Sequence, residues 1–134
     1  MERKLPSVRL FRRKRDDQPV DPHERSPQLG LRYKDLAVLG QLQDGGADLS
    51  QSRHIVYYSY APTEAAARSM ADEAAGKGFT TDIREPLPEF PHQWSVIAET
   101  HAVCSPEFVR QSDDFFEELA GRLGGEYDGW EASL

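Results

Sequence analysis

The chain has 134 residues and a formal net charge of −7, which suits one domain with a core of its own. The acidic balance opposes binding to nucleic acid or anionic membrane, and a single cysteine, Cys104, leaves no partner for an intramolecular disulfide. With no apolar run of membrane-spanning length and no apolar stretch of a signal peptide at the N-terminus, the sequence predicts a cytoplasmic protein.

Charge divides the chain into a basic leader and an acidic body. Residues 1–30 contain eight Lys or Arg and five Asp or Glu, whereas residues 31–134 contain eight basic and eighteen acidic side chains. The leader has four prolines and few large apolar groups, so it cannot bury enough surface to offset the entropy lost on ordering. We predict a flexible leader over residues 1–30 and one folded domain over residues 31–134.

The first half of the body predicts two helices on either side of a strand. Apolar spacing favours a helix from Tyr33 that ends at Gly45, and residues 53–60 (RHIVYYSY) have the aromatic and β-branched content of a strand. The run Pro62-Thr63-Glu64 opens the second helix, which ends near Gly76. Its apolar stripe is rich in alanine, which implies close packing on a sheet.

The second half predicts three strands and one long helix. Polar and apolar side chains alternate over residues 79–84 and 94–99, and the proline-rich segment between them breaks the pairing. The run Ser105-Pro106-Glu107 supplies a hydroxyl cap, a first-turn proline and an acid at the positive end of the helix dipole. That helix ends at Gly124-Gly125, and residues 126–131 form the last strand.

This order of elements predicts an α+β protein of the ferredoxin-like class, preceded by an additional N-terminal helix. After that helix the order is β-α-β-β-α-β, and each β-α-β half is expected to cross over with a right hand. Two such halves form a four-stranded antiparallel sheet with both helices on one face. Many unrelated functions share this fold, so the fold does not identify the function.

No combination of residues in the sequence has the spacing typical of a catalytic or cofactor site. Cys104 lies three positions after His101, and on an extended segment such residues point to opposite faces. The other histidines, His54 and His92, complete no zinc-site spacing, and the glycine pairs match no phosphate-binding pattern. A metal site assembled from three strands leaves no spacing signature and stays open. We expect a protein without catalytic residues, metal or cofactor.

Aromatic residues on the first strand raise the question of RNA binding. RNA-recognition modules share this topology and stack bases on aromatic side chains of their central strands, where Tyr57, Tyr58 and Tyr60 are predicted to lie. However, the third strand lacks the basic, glycine and aromatic pattern of those modules, and the acidic body opposes phosphate approach. Core packing of the tyrosines is the simpler interpretation, and we expect no direct binding of nucleic acid by the body.

An acidic run occupies the last predicted helix. It comprises Asp113, Asp114, Glu117 and Glu118. The helical spacing predicts that all four side chains face solvent, either as a solvated surface or as a docking surface for a basic partner.

The C-terminal run GGEYDGWE is the most distinctive stretch of the chain. It resembles the terminal signature of the ribonuclease E inhibitor family, regulator of ribonuclease E activity type B (RraB-like). The signature residues are Glu126, Tyr127, Asp128, Gly129 and Trp130. The order of the preceding elements agrees with that family, including Asp44-Gly45-Gly46-Ala47-Asp48 after a helix. The resemblance covers about residues 34–132.

The resemblance implies a small acidic regulator that binds ribonuclease E or a similar endoribonuclease and lowers its activity toward RNA, without chemistry of its own. The acidic body would then occupy basic surfaces that otherwise hold RNA. The basic leader is not part of the family pattern. The alternative is a small-molecule-sensing or dimerising ferredoxin-like module unrelated to RNA turnover. In either case we expect Trp130 to be at least partly buried, with an unusual backbone conformation at Gly129.

Overall fold

The structure, a computed structural model, describes residues 21–134. Three helices and four strands follow one another along these residues in the order α1-β1-α2-β2-β3-α3-β4. Their bounds are Tyr33–Asp44 (α1), Ser52–Ala61 (β1), Glu64–Gly76 (α2), Thr80–Arg84 (β2), Trp94–Val103 (β3), Pro106–Arg122 (α3) and Glu126–Ala132 (β4). Among the described residues, no helix is both long enough and apolar enough to cross a membrane.

The described residues form two compact units. The first unit contains residues 21–52 and 103–110 together with Leu134, and the second contains residues 53–102 and 111–133. Helix α1 belongs to the first unit, whereas α2, β2 and β4 belong to the second.

The first unit begins with a hydrogen-bonded turn ahead of α1. The N–H of Ser26 donates to the carbonyl oxygen of Leu31 at 2.7 Å, and the N–H of Gly30 donates to that of Ser26 at 2.8 Å. Leu31 is fully buried and Ser26 is nearly so. These hydrogen bonds fall at the end of the predicted leader, of which the structure describes residues 21–30. The rest of that prediction, residues 1–20, lies outside the described residues.

Helix α1 buries an apolar stripe and ends at glycine. Ala37, Leu39 and Leu42 are buried. The N–H groups of Gly45 and Gly46 donate to carbonyl oxygens of the last turn, and Gly46 has a φ of +91°. A helix from Tyr33 that ends at Gly45 matches what the sequence pattern predicts.

The second unit is built on an antiparallel sheet with the strand order β2-β3-β1-β4. Strand β1 pairs with β4, and β2 pairs with β3. Along β1 every second residue from Arg53 to Ala61 is buried, as the alternation predicts. Strand β3 runs four residues beyond its predicted end at Glu99, through Thr100 to Val103.

Two side-chain caps fix the starts of the helices that accompany the sheet. Thr63 Oγ1 accepts a hydrogen bond from the N–H of Ala66 at 3.1 Å at the start of α2. Ser105 Oγ accepts one from the N–H of Phe108 at 3.1 Å at the start of α3. Both caps satisfy N–H groups that have no partner within the helix, and the Ser105 cap was predicted from sequence. Helix α2 lies against β2.

Aromatic side chains form the core of the second unit. Tyr57 stacks on Phe116 with ring centroids 4.6 Å apart, and Phe116 stacks on Tyr127 at 5.6 Å. Phe79 meets both Tyr57 and Phe116 edge to face. Tyr57 is therefore a core residue, as the simpler interpretation of the tyrosines predicted.

Candidate partner-binding surface

The C-terminal signature begins with the glycine pair that ends α3. The N–H of Gly125 donates to the carbonyl oxygen of Ala120 at 2.8 Å. The N–H of Gly124 donates to the carbonyl oxygen of Gly121 at 3.4 Å. Gly124 has a φ of +77°. This is the Schellman arrangement, in which a left-handed residue reverses the chain and satisfies the last helical carbonyls.

Gly125 sets the close approach of β4 to β1. A Cβ atom on Gly125 would lie 2.1 Å from the carbonyl oxygen of Tyr60 and 2.6 Å from Cε of Met70. The nearest of these is backbone, which cannot rotate away. Only glycine therefore allows β4 to begin at this distance from the end of β1.

The signature residues Tyr127 and Trp130 both face the core because β4 contains a bulge. Residues three apart on a regular strand point to opposite faces, yet Trp130 pairs with Tyr57 and Tyr127 pairs with Ser59 on the buried face. The register shifts between Tyr58 and Ser59, which gives β4 one extra residue there. Gly129 has a φ of +119°, and Trp130 is 9% exposed. The predicted burial of Trp130 and unusual conformation of Gly129 are confirmed.

The acidic residues of the signature lie at the surface. Glu126 and Asp128 are exposed, and Glu126 pairs with Tyr60 in the β1–β4 register. Burial raises the pKa of the Tyr60 hydroxyl, and the nearby carboxylates of Asp128 and Glu126 raise that pKa further. The signature thus has a core half, Tyr127 and Trp130, and an acidic surface half next to Tyr60.

The acidic run on α3 is not one solvent-facing surface. Asp114 and Glu118 are exposed, but Asp113 is 1% exposed and Glu117 is half-buried. The prediction that all four side chains face solvent is wrong for Asp113. Asp113 follows Val109 by four positions and precedes Phe116 by three, so helical spacing places it in the buried stripe. Whether this run binds a partner stays a prediction.

Glu118 takes part in an ion-pair network between α3 and α2. The guanidinium of Arg122 donates to Glu118 at 2.8 Å and to Glu73 at 2.8 and 3.0 Å. The hydrogen bonds from Arg122 lower the pKa of both carboxyl groups, and those same bonds raise the pKa of Arg122. The carboxylate of Glu118 is therefore already paired with a cation.

A pocket of about 490 Å³ lies next to the acidic half of the signature. The end of β1, the proline-rich loop between β2 and β3, and the start of β4 contribute its walls. The lining residues are Tyr60, Ala61, Pro62, Glu89, Phe90, Pro91, His92, Gln93, Gly124, Gly125 and Glu126. The loop also presents large apolar side chains to solvent, since Phe90 is 56% exposed and Leu87 is 64% exposed.

Sequence reasoning did not find this pocket, although part of its signal was present. Leu87 and Phe90 lie among three prolines in residues 86–91. Apolar side chains in such a stiff loop are expected to stay exposed to solvent. What the sequence lacks is any sign that this loop and the start of β4 meet. Their separation along the chain is more than thirty residues, so only the fold brings them together.

The histidines of the sheet form a pair rather than a metal cluster. The rings of His54 and His101 are 5.1 Å apart between centroids, and His54 Nε2 lies 2.6 Å from Glu99 Oε1. No group of three or more His, Cys, Asp or Glu residues within residues 21–134 is arranged to hold a metal ion. Cys104 is buried and His101 is exposed.

The face of β1 opposite the core carries the remaining tyrosines. Tyr58 and Tyr60 are half-buried there. The hydroxyl of Tyr58 donates to Glu131 Oε2 at 2.9 Å. Carboxylates beside these rings oppose the approach of a phosphate backbone.

Comparison with known protein families assigns the chain to one of them. The family model described as Regulator of ribonuclease activity B (RraB) matches residues 33–132, which is most of the chain and includes the whole signature. No individual curated protein matches it. The matched range begins at the first residue of α1 and ends at the last residue of β4. The chain therefore belongs to the family of regulators of ribonuclease activity B.

Proposed function

We propose that this protein binds an endoribonuclease of the ribonuclease E type in the cytoplasm and lowers its activity toward RNA, without a catalytic step of its own. The observation that carries the proposal is the family match over residues 33–132. It is supported by the EYDGW signature, whose resemblance to ribonuclease E inhibitors implies this partner. The proposed partner is a protein, and the proposed effect is a slower decay of RNA.

The proposal includes a ferredoxin-like arrangement of the sheet unit. The element order β-α-β-β-α-β supports it, as does the strand order β2-β3-β1-β4, in which β3 separates β1 from β2 and β1 separates β3 from β4. Each β-α-β half is then split by one strand of the other half. Helix α1 precedes this arrangement along the chain.

Charge explains how such a protein would compete with RNA. The second unit contains fourteen acidic and five basic side chains. A ribonuclease holds its substrate largely through basic side chains on phosphates. An acidic protein surface is complementary to the same side chains, so it attracts the enzyme at long range and displaces RNA. Because this attraction is screened by salt, inhibition should weaken as ionic strength rises.

The test is a cleavage assay with purified ribonuclease E and a fluorescent RNA substrate, to which increasing amounts of the full chain are added. We expect the cleavage rate to fall as the chain saturates the enzyme, and to recover partly at higher salt. The chain alone should neither cleave the RNA nor retard it in a gel. An unchanged rate with the chain in large excess would refute the proposal. So would tight binding of the RNA by the chain, because sequestered substrate would then explain the loss of cleavage.

A further inference from the structure

We propose that the pocket beside β4 is where the partner docks, and that it takes an extended protein segment in which a Lys or Arg side chain lies next to an apolar one. This inference rests on the proposed function and specifies where and by what chemistry the partner is held. It concerns residues that the acidic run on α3 does not include.

The shape of the pocket suits side chains of a peptide segment. Its volume of about 490 Å³ falls within the range of specific binding sites in proteins, roughly 300–1,000 Å³. Gly125 forms part of the wall without a side chain, and no side chain can be added there because the Tyr60 carbonyl blocks it. The wall of the pocket at Gly125 is therefore backbone.

Several of the groups that line this pocket are apolar. Phe90 and Pro91 come from the proline-rich loop, and Ala61 and Pro62 come from the end of β1. Phe90 exposes more than half of its surface, which is unfavourable for an aromatic ring unless another surface covers it. Prolines on both sides of Phe90 restrict the loop, so little conformational entropy is lost when a partner covers the ring.

Two carboxylates also line the pocket, and they select a cation. Glu89 and Glu126 are among the lining residues, and none of the described lining residues is Lys or Arg. Asp128 adds a third carboxylate close enough to Tyr60 to raise its pKa. A guanidinium or ammonium group placed here would bond to carboxylates and lie against the faces of Phe90 and Tyr60 in cation–π contact. Phosphate or lipid headgroups would meet the same carboxylates with repulsion.

The acidic residues of α3 are less suited to this role. Glu118 already bonds to Arg122, and Asp113 is buried. An incoming cation at Glu118 would have to compete with a guanidinium that is held by two carboxylates. The pocket combines carboxylates with exposed apolar surface, so it can hold a basic and an apolar side chain of one segment together.

Nuclear magnetic resonance with two probe peptides tests this inference on the full chain. The first probe is a capped peptide with the core Arg-Leu-Arg between glycine and serine flanks, and the second replaces both arginines by glutamates. We expect the first probe to shift the backbone amide signals of Phe90, His92, Gly125 and Glu126, and the second to leave them in place. Separate variants Phe90→Ser and Glu126→Gln should each weaken the first probe's binding about tenfold, the effect of one charge-assisted or aromatic contact.

Two matched variants control for general effects of polarity and charge. Leu29→Ser removes another exposed apolar side chain, and Asp72→Asn removes another exposed carboxylate; both should bind the first probe as the wild type does. Thermal unfolding of Phe90→Ser and Glu126→Gln should match the wild type, because both side chains are exposed.

The outcomes separate this inference from the proposed function. Shifts confined to α3, equal binding of the two probes, or wild-type binding by Phe90→Ser would each overturn the pocket as the docking point, even if ribonuclease E is inhibited. Binding of the first probe in the pocket supports the inference even if ribonuclease E proves insensitive to the chain. In that case the proposed partner is wrong and another basic protein is the partner.

Discussion

The second half of α3 and the strand β4 each carry several acidic side chains beside aromatic ones, and they place these groups differently. On α3, Asp113 is buried and Glu118 bonds to Arg122. On β4, the aromatic residues are buried while Glu126 and Asp128 are exposed next to an apolar pocket. Acidic composition is therefore a poor guide to a binding surface, because the position of each carboxylate relative to the core decides what it can contact.

Among the changes proposed here, removal of Trp130 from the buried face of β4 should lower the free energy of unfolding most. We expect Trp130→Ala to lower the free energy of unfolding by about 3–5 kcal/mol, because the change leaves a cavity opposite Tyr57. Phe90→Ala is the matched aromatic control. It should change the free energy of unfolding by no more than about 0.5 kcal/mol, since the Phe90 ring is mostly exposed. Urea unfolding followed by circular dichroism measures both values. Equal losses in the two variants would contradict the division of the signature into core and surface.

The close approach at Gly125 should give the next largest effect. We expect Gly125→Ala to lower the free energy of unfolding by about 3 kcal/mol, because the new Cβ would overlap the Tyr60 carbonyl oxygen and force the strands apart. Gly121→Ala, within α3, meets no atom within 4 Å and should stabilise the protein by about 0.5–1 kcal/mol, as alanine does in a helix. Thermal unfolding of the pair checks the sign of each change. A neutral Gly125→Ala would mean that β4 and β1 leave room for a side chain at this position.

The neighbouring residues Asp113 and Asp114 on α3 compare a buried carboxylate with an exposed one within one helical turn. We expect Asp113→Asn to lower the free energy of unfolding by about 1–2 kcal/mol, because a buried carboxylate is replaced by a group with different hydrogen-bonding needs. Asp114→Asn should stay within about 0.5 kcal/mol of the wild type, since Asp114 is exposed. If chemical denaturation shows the two variants to be equal, the assignment of Asp113 to the core stripe is wrong.

The smallest expected effect concerns the network at Arg122. The pKa values of Glu73 and Glu118 are lowered in the folded state, so their pairing stabilises the protein above the ordinary glutamate pKa and is lost as the pH falls through the lowered values. We expect Arg122→Gln to be slightly less stable than the wild type at pH 7, with the difference vanishing in acid. Urea midpoints from pH 7 to pH 3 measure this. A difference that grows as the pH falls would contradict the expected sign of this linkage.

Much of the fold was predictable because its signals are local. Thr63 and Ser105 cap the helices that follow them, and glycine pairs end α1 and α3 where the pattern placed them. The acidic run was misjudged although its signal was also local, since Asp113 has the spacing of a core position on α3. The four carboxylates share i, i+3 and i+4 spacing with one another, but Asp113 also shares that spacing with the buried Val109 and Phe116.

The bulge and the pocket could not be predicted because they depend on pairing between distant segments. Nothing in the sequence of β4 alone shows that Tyr127 and Trp130 share a face, since that follows from the register with β1. The pocket requires the loop that carries Phe90 to lie next to the start of β4. The run EYDGW is distinctive in the sequence. The fold is what gives a physical reason for the burial of its aromatic residues and for the positive φ of Gly129.

Inhibition of ribonuclease E by paired charge variants tests the central claim most directly. The measurement is the concentration of chain that halves the cleavage rate of a fluorescent RNA, for the wild type, for Glu126→Gln with Asp128→Asn, and for Asp114→Asn with Glu118→Gln. We expect the strand variant to need at least about tenfold more protein than the wild type, and the helix variant to need less than about threefold more. Equal inhibition by the strand variant and the wild type would contradict the account, and so would a helix variant that inhibits less than the strand variant.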